Sequence, residues 1–322
     1  MKRERAVLTT APRHCDAQPV RGPLNAPKKK IIGSEWAVEG MAKFRPSTAE
    51  IVVVGNEVLN GEVLDTNSNW LAKRLYSSGL HLKRVTAVRD NLREISAAIR
   101  ESLRRGTEWI ITTGGLGPTD DDMTLQGVSL ATRRKTTLNP EALEMLRERY
   151  ARLYEMGVVR ERELTPARLK MAMLPKGARA LRNRVGSAPG SALKYGRSWV
   201  ISLPGVPSEM RDIYENEVEP LILSHAKRVH RRVDGLIVSG VPESTLAPVL
   251  SAVSRKFRSV YIKSHPKGIE AGRSIVEVMV HAEGRNEEEV ERLVGTVLQE
   301  LHDRVKGLMP DHIERLEVKG GS

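Results

Sequence analysis

Cysteine is almost missing from this 322-residue sequence, where Cys15 stands alone. A single thiol excludes an intramolecular disulfide and any cysteine-based metal cluster, and it fits a reducing, cytoplasmic setting. Aromatic residues are scarce too, at 4%, with two Phe, so the core must rest on Val, Leu, Ile, Ala and Met. No apolar run comes near the roughly 20 residues that cross a bilayer, and no apolar stretch of the signal-peptide kind opens the chain. Zinc-finger spacings and aromatic-rich binding strands are lacking as well. That matters because the formal net charge is +12. Basic residues commonly alternate with acidic ones, as in Arg147-Glu148-Arg149 and Arg160-Glu161-Arg162-Glu163, the pattern of solvated helix faces with local ion pairs. Neither nucleic acid nor a membrane is therefore expected as a partner.

What the sequence does have is one dense motif. After Trp109-Ile110-Ile111-Thr112 comes Thr113-Gly114-Gly115-Leu116-Gly117-Pro118-Thr119-Asp120-Asp121-Asp122-Met123-Thr124. The β-branched run reads as a buried strand. The glycines let the backbone turn sharply and bring N–H groups close to a ligand. A helix expected from Thr119 onward would put those amides at the positive end of its dipole, an anion site. The aspartates have a bland reading as helix caps. Beside a phosphate cradle, however, three carboxylates repel the ligand unless a divalent cation lies between. The motif lacks Gly-Lys-Ser/Thr and is no Walker loop, and Gly115-x-Gly117-x-x-Asp120 is no dinucleotide fingerprint.

Around this motif the chain divides into four stretches. Residues 1–47 read as a disordered basic leader, with Pro12, Pro19, Pro23, Pro27 and Lys28-Lys29-Lys30; Met41 could itself be a start. Residues 48–228 form the catalytic unit. It opens with a strand at 51–54, a helix at 67–80, a strand at 81–89, a helix at 92–103 and a strand at 108–113, a β-α-β-α-β order that implies a parallel sheet with right-handed crossovers. Helices at 123–132, 140–156, 166–173 and 208–226 follow, with short strands at 177–181, 191–195 and 199–203 among them. Residues 233–308 order as β-α-β-β-α, a small ferredoxin-like α+β unit, and 309–322 read as a loose tail. Ligands on parallel sheets bind beyond the strands' carboxyl ends. Both the glycine-rich motif and Gly55-Asn56-Glu57 fall at that edge. Asp90 ends the second strand and would otherwise cap the next helix; one of Asp65, Thr66 and Asn67 caps the helix before it. The loop Asn183-Arg184-Val185-Gly186-Ser187-Ala188-Pro189-Gly190 is made of small residues that permit close approach.

Four segments taken together carry a resemblance. They are Gly55-Asn56-Glu57-Val58-Leu59-Asn60-Gly61-Glu62 with Asp65-Thr66-Asn67, the motif 113–124, Gly186-Ser187-Ala188-Pro189-Gly190, and Leu203-Pro204-Gly205-Val206-Pro207-Ser208-Glu209-Met210. In this order they resemble the N-terminal domain of the CinA family, part of the wider molybdopterin-binding group of MogA and MoaB. The chain resembles a stand-alone form, without the C-terminal deamidase domain of many CinA proteins. The resemblance implies a three-layer α/β domain with a mainly parallel sheet. It also implies hydrolysis of a nucleotide pyrophosphate such as ADP-ribose, with Mg, Mn or Co as divalent cation. MogA-like relatives instead adenylylate molybdopterin, and a non-catalytic nucleotide-binding protein is the third expectation. By the same resemblance Asp122 and Asp90 are catalytic and metal-binding, Asp121 assists at the metal, and Glu57 is a candidate base. Gly114, Gly115, Gly117 and Thr119 would hold phosphate; Asn67, Ser187, Gly190, Pro204, Gly205 and Glu209 would face the nucleotide or pterin. A homo-oligomer is expected. His265, between Ser264 and Pro266, could bring cationic groups to a phosphate across a subunit boundary, although such a loop more often is a solvated turn.

Overall fold

The computed structural model describes residues 46–270, 273–308 and 313–316; the leader expected at 1–47 lies almost wholly outside them. The described chain enters on β1 (Thr48–Val54), buried from Ala49 onward. Short helix α1 (Asn56–Leu59) and helix α2 (Thr66–Ser77) follow. Asp65 caps α2 by accepting the Ser68 N–H at 2.9 Å. Next come β2 (His81–Val88), α3 (Leu92–Arg104) and β3 (Trp109–Thr113), which complete the β-α-β-α-β order. The cap of α3 is Asn91, whose side chain accepts from the N–H groups of Arg93 and Glu94.

Beyond β3 the chain runs through α4 (Thr124–Thr132), β4 (Thr136–Leu138), α5 (Pro140–Glu155), α6 (Pro166–Lys170) and β5 (Met173–Pro175). Strands β6 (Arg179–Leu181), β7 (Gly190–Tyr195) and β8 (Ser198–Leu203) then lead into α7 (Pro207–Ile213), a π-helical turn at Tyr214–Val218, and α8 (Glu219–His225). The single helix expected at 208–226 is thus interrupted. Pro220 has no N–H to donate and its ring crowds the carbonyl four residues back, which favours a wider turn there. Strands β4 and β5 pair with each other, outside the main sheet.

The main sheet has the order β2-β1-β3-β8-β7-β6. Its first four strands are parallel, and β7 runs antiparallel to both its neighbours. Successive side chains of a strand face opposite ways, and the core divides accordingly. Val52, Val54, Ile110 and Val200 pack with residues of α3, α4 and α5. Ile51, Val53, Ile111 and Ile201 pack with residues of α2, α7 and α8 on the other face. The result is a three-layer α/β domain. Each fully buried Ile, Leu or Val contributes about 1.5–3 kcal/mol, and the stacked pair Trp109–Trp199, 5.9 Å apart across β3 and β8, adds large apolar area where the sequence has few aromatics.

The second unit comprises β9 (His230–Ser239), α9 (Glu243–Lys256), β10 (Val260–Glu270), β11 (Arg273–Gly284), α10 (Glu287–Lys306) and β12 (Ile313–Leu316). The sheet order β10-β11-β9-β12, antiparallel throughout, is the ferredoxin-like arrangement. Its last strand falls within the stretch read as a loose tail; four residues are too few to display a period. The rest of that tail lies outside the described residues. Arg231 ties the two units together. It donates to the carbonyls of Tyr76 and Leu80, lies over the Tyr76 ring, and pairs with Glu283 at 3.2 Å. Among the described residues no helix is long and apolar enough to cross a membrane.

Candidate functional site

A cleft of about 750 Å³ lies where β1, β2, β3 and β8 end, within the range of about 300–1,000 Å³ usual for small-molecule sites. Its floor is the loop after β3. Gly114 and Gly115 have φ of 94° and 65°, a region that favours glycine. A Cβ on Gly114 would lie 2.1 Å from the Val54 carbonyl oxygen, and a Cβ on Gly205 would lie 3.4 Å from the Gly114 Cα. The Thr124 hydroxyl donates to the Gly114 carbonyl at 2.8 Å, and the Gly114 N–H donates to the Leu203 carbonyl at 3.0 Å. By contrast, the N–H groups of Gly115, Leu116 and Gly117 donate to no group among the described residues. All three residues line the cleft.

Gly114→Ala is expected to destabilise the protein by more than about 2 kcal/mol, since the added methyl meets backbone, which cannot swing aside. Thermal unfolding checks this; a melting temperature within 2 °C of wild type (roughly 1 kcal/mol or less) would contradict the packing described.

The helix expected from Thr119 begins only at Thr124, after Met123, and no side chain caps it. Residues 119–122 instead close a turn, with the Asp122 N–H donating to the Thr119 carbonyl at 3.1 Å. Asp122 Oδ2 accepts the Thr119 N–H at 2.9 Å and its hydroxyl at 2.6 Å. Thr119 is exposed and points its hydroxyl at this carboxylate, outside the cleft wall. The Asp121 carboxyl, beside Thr119 and its own backbone N–H and in the field of Lys170, is held below its ordinary range. Lys170 also donates to the Thr119 carbonyl, pinning α6 to the loop. Dipole effects fade within a helix's first turn, so the free amides act mainly through their own hydrogen bonds.

Asp90 does not cap the helix that follows it. Its Oδ2 accepts the Asn56 N–H at 2.8 Å, which binds the end of β2 to the start of α1. Glu57, on α1, folds its carboxylate over Gly55, where a Cβ would lie 2.5 Å from Oε1. The residue is exposed, and its carboxylate has no hydrogen-bond partner among the described residues. Glu209, from α7, accepts the Asn183 amide at 2.6 Å. Asn183 in turn accepts the N–H groups of Val185 and Gly186, holding Ser187 at the cleft.

Glu57, Asp90, Gly114, Gly115, Gly117, Asp121, Asp122, Ser187, Pro204, Gly205 and Glu209 thus share one wall. Thr119, Asn67 and Gly190 stand apart from it. Asn67 donates to the Gly205 carbonyl at 2.7 Å and supports that loop from behind. Gly190 belongs to β7, where a Cβ would press on the Ser202 carbonyl and on Ile213. One lining residue carries no signal in the sequence reading: Arg149, on α5, the single basic side chain of the wall among the described residues. Within Arg147-Glu148-Arg149 it looks like any solvated helix face.

Five carboxylates against one guanidinium make the cleft acidic. Among the described residues no three His, Cys, Asp or Glu side chains gather as a metal cage. The donor set fits a hard cation that takes one or two carboxylates and fills its remaining positions with water and ligand phosphate, as Mg²⁺ commonly does.

Comparison with known proteins identifies the family. Residues 50–224 match the family described as "Probable molybdopterin binding domain". A protein of Metallosphaera sedula is 39% identical over 262 residues, covering 81% of this chain and 94% of its own length. One of Aeropyrum pernix is 45% identical over 241 residues, covering 75% and 87%. The crystal structure of a CinA protein of unknown function from Thermoplasma acidophilum is 36% identical, with a TM-score of 0.50, and covers 55% of this chain and 99% of that one. The chain belongs to the family described as "Probable molybdopterin binding domain".

Proposed function

We propose that this protein is a metal-dependent nucleotide pyrophosphatase that hydrolyses ADP-ribose or a related dinucleotide pyrophosphate. The observation that carries the reading is the meeting of three free amides, Gly115 to Gly117, with an acidic wall in one cleft of nucleotide size. Water adds to one phosphorus, the bridging P–O bond breaks, and ADP-ribose gives AMP and ribose 5-phosphate. The amides hold phosphate oxygens and take up the charge that grows on them. The Glu57 carboxylate, which no group among the described residues engages, accepts the proton of the attacking water. Asp90 and Asp122 each have one oxygen engaged by the protein and one left over. Those remaining oxygens, with Asp121 beside them, would hold Mg²⁺, Mn²⁺ or Co²⁺, which when bound offsets the repulsion between the acidic wall and the pyrophosphate. Ser187, Pro204, Gly205 and Glu209, with Asn67 behind them, receive the adenosine.

Incubation with ADP-ribose and each cation in turn is expected to release AMP and ribose 5-phosphate, with EDTA stopping the reaction. The family description favours a second reading, in which the same cleft binds or adenylylates molybdopterin. A fluorescent pterin in the purified protein, together with no turnover of ADP-ribose, would replace the first reading by the second. Nucleotide binding without turnover or pterin would leave a non-catalytic binding protein.

A further inference from the structure

A second recess, of about 200 Å³, opens beside the cleft and shares Arg149 and Ser187 with it. Its chemistry is the opposite. Arg149, Arg152, Arg182 and Arg184 line it, with Glu148 the one carboxylate among its described walls. Arg182 is engaged by Glu148 at 2.5 Å. Arg184 is held by Glu217 at 3.2 Å and Asp212 at 3.8 Å. That leaves Arg149 and Arg152 with no carboxylate in contact among the described residues. Arg149 spends one nitrogen on the Val185 carbonyl at 2.8 Å, while its buried Nε has no partner among the described residues.

A purely solvated arginine face would give each guanidinium open water. Here Arg149 is half-buried with its Nε unsatisfied, beside Arg152, which is exposed at the rim, and a buried donor costs free energy until an acceptor reaches it. Met145, Glu148, Arg149 and Arg152 fall at helical spacing on α5, so one rigid face presents the charges. Guanidinium forks match the oxygens of phosphate, and four arginines with Glu148 as the one lining carboxylate leave the recess suited to an anion. The volume is below that of a whole small-molecule site. It takes a phosphoryl group with its hydration and leaves no room for a second nucleoside.

We propose that this recess is a phosphate subsite, and that the ligand of the main cleft carries a phosphomonoester in addition to its pyrophosphate. Arg149, Arg152 and Arg182 receive that group, with the Ser187 hydroxyl at the shared rim. The ligand class is then a nucleoside diphosphate ester phosphorylated on a sugar hydroxyl. The proposal rests on the reading of the cleft as a nucleotide site, though not on hydrolysis.

The test compares paired ligands on the full chain by calorimetry, with Ca²⁺ as the cation. The pairs are ADP-ribose with 2′-phospho-ADP-ribose, and dephospho-coenzyme A with coenzyme A. In at least one pair the phosphorylated member is expected to bind at least tenfold more tightly. That preference should fall below twofold in Arg152→Gln and in Arg149→Gln. Because both members of a pair meet the same variant, partial unfolding weakens both and leaves the ratio intact. Equal affinities in both pairs, no binding by any of the four ligands, or a preference that survives both substitutions overturns the subsite. Failure of the hydrolase reading looks different: no AMP from any ligand while the affinity ratio stands.

Discussion

Asp122→Ala is expected to lower AMP release from ADP-ribose by about 10²–10³-fold in kcat/KM, the usual loss when a group that stabilises charge in a transition state is removed. Two effects act together. The substitution removes a carboxylate from the wall and releases the Thr119 N–H and hydroxyl, which Asp122 Oδ2 holds at 2.9 and 2.6 Å. Asp122→Asn separates them, because its amide oxygen can still accept from Thr119 while the charge is gone. If the charge matters most, Asn is as inactive as Ala under Mg²⁺, Mn²⁺ and Co²⁺ alike. Asp122 is only partly buried and lies in a loop, so the melting temperature should change little. Full activity in Asp122→Ala would remove the acidic wall from the mechanism.

The largest effect on stability is expected far from the cleft, at Glu50. This β1 carboxylate is buried and accepts from Arg105 at 2.9 and 2.6 Å, from Thr107 at 2.7 Å and from Ser102 at 2.8 Å. Burial pushes its carboxyl up, but hydrogen bonds from Arg105, Thr107 and Ser102, with the Arg105 charge, outweigh burial and hold it at about 2. Glu50→Gln leaves the Arg105 guanidinium only the exposed Glu101, 3.5 Å away, as counter-ion. The cost is about 3 kcal/mol, the low end for breaking a buried pair, since Arg105 keeps one-third of its side chain exposed. The melting temperature should fall by roughly 6–12 °C. A carboxyl depressed on folding contributes stability in full above its unfolded value, near 4.5, and loses it as pH falls towards 2. Wild type and variant should therefore converge between pH 4.5 and 2. A gap that stayed constant over that window would mean the destabilisation is steric.

The parallel half of the main sheet could be read in advance because its evidence is local. Val52, Val53 and Val54 form an unbroken apolar run, and Ile95 and Ile99 mark one face of α3. The carboxyl-end location of Glu57, Asp90 and the glycine loop follows from strand direction alone. What escaped lay in short turns and strands without a period, or in contacts distant in sequence. Thr119 looked like a helix start because Thr before acidic residues is a capping pattern, yet Asp122 turns back on it and α4 starts at Thr124. Asp90 looked like a cap for α3, but Asn91 holds that place and Asp90 reaches Asn56, 34 residues earlier. Strands β4 and β5, three residues each, are too short for any periodicity. Arg149 reaches the cleft only because α5 packs beside the loop of Val185, a fact of tertiary structure with no signature in Arg147-Glu148-Arg149.

The central claim is that one cleft holds a pyrophosphate between the loop amides and the acidic wall. A crystal structure with Mn²⁺ and the methylene analogue of ADP-ribose, which resists hydrolysis, tests it most directly. The account predicts phosphate oxygens within hydrogen-bond distance of the N–H groups of Gly115 to Gly117, and Mn²⁺ bridging the phosphate to Asp90 or Asp122. A nucleotide seated elsewhere, or phosphates in the cleft with no cation between them and the aspartates, would contradict it.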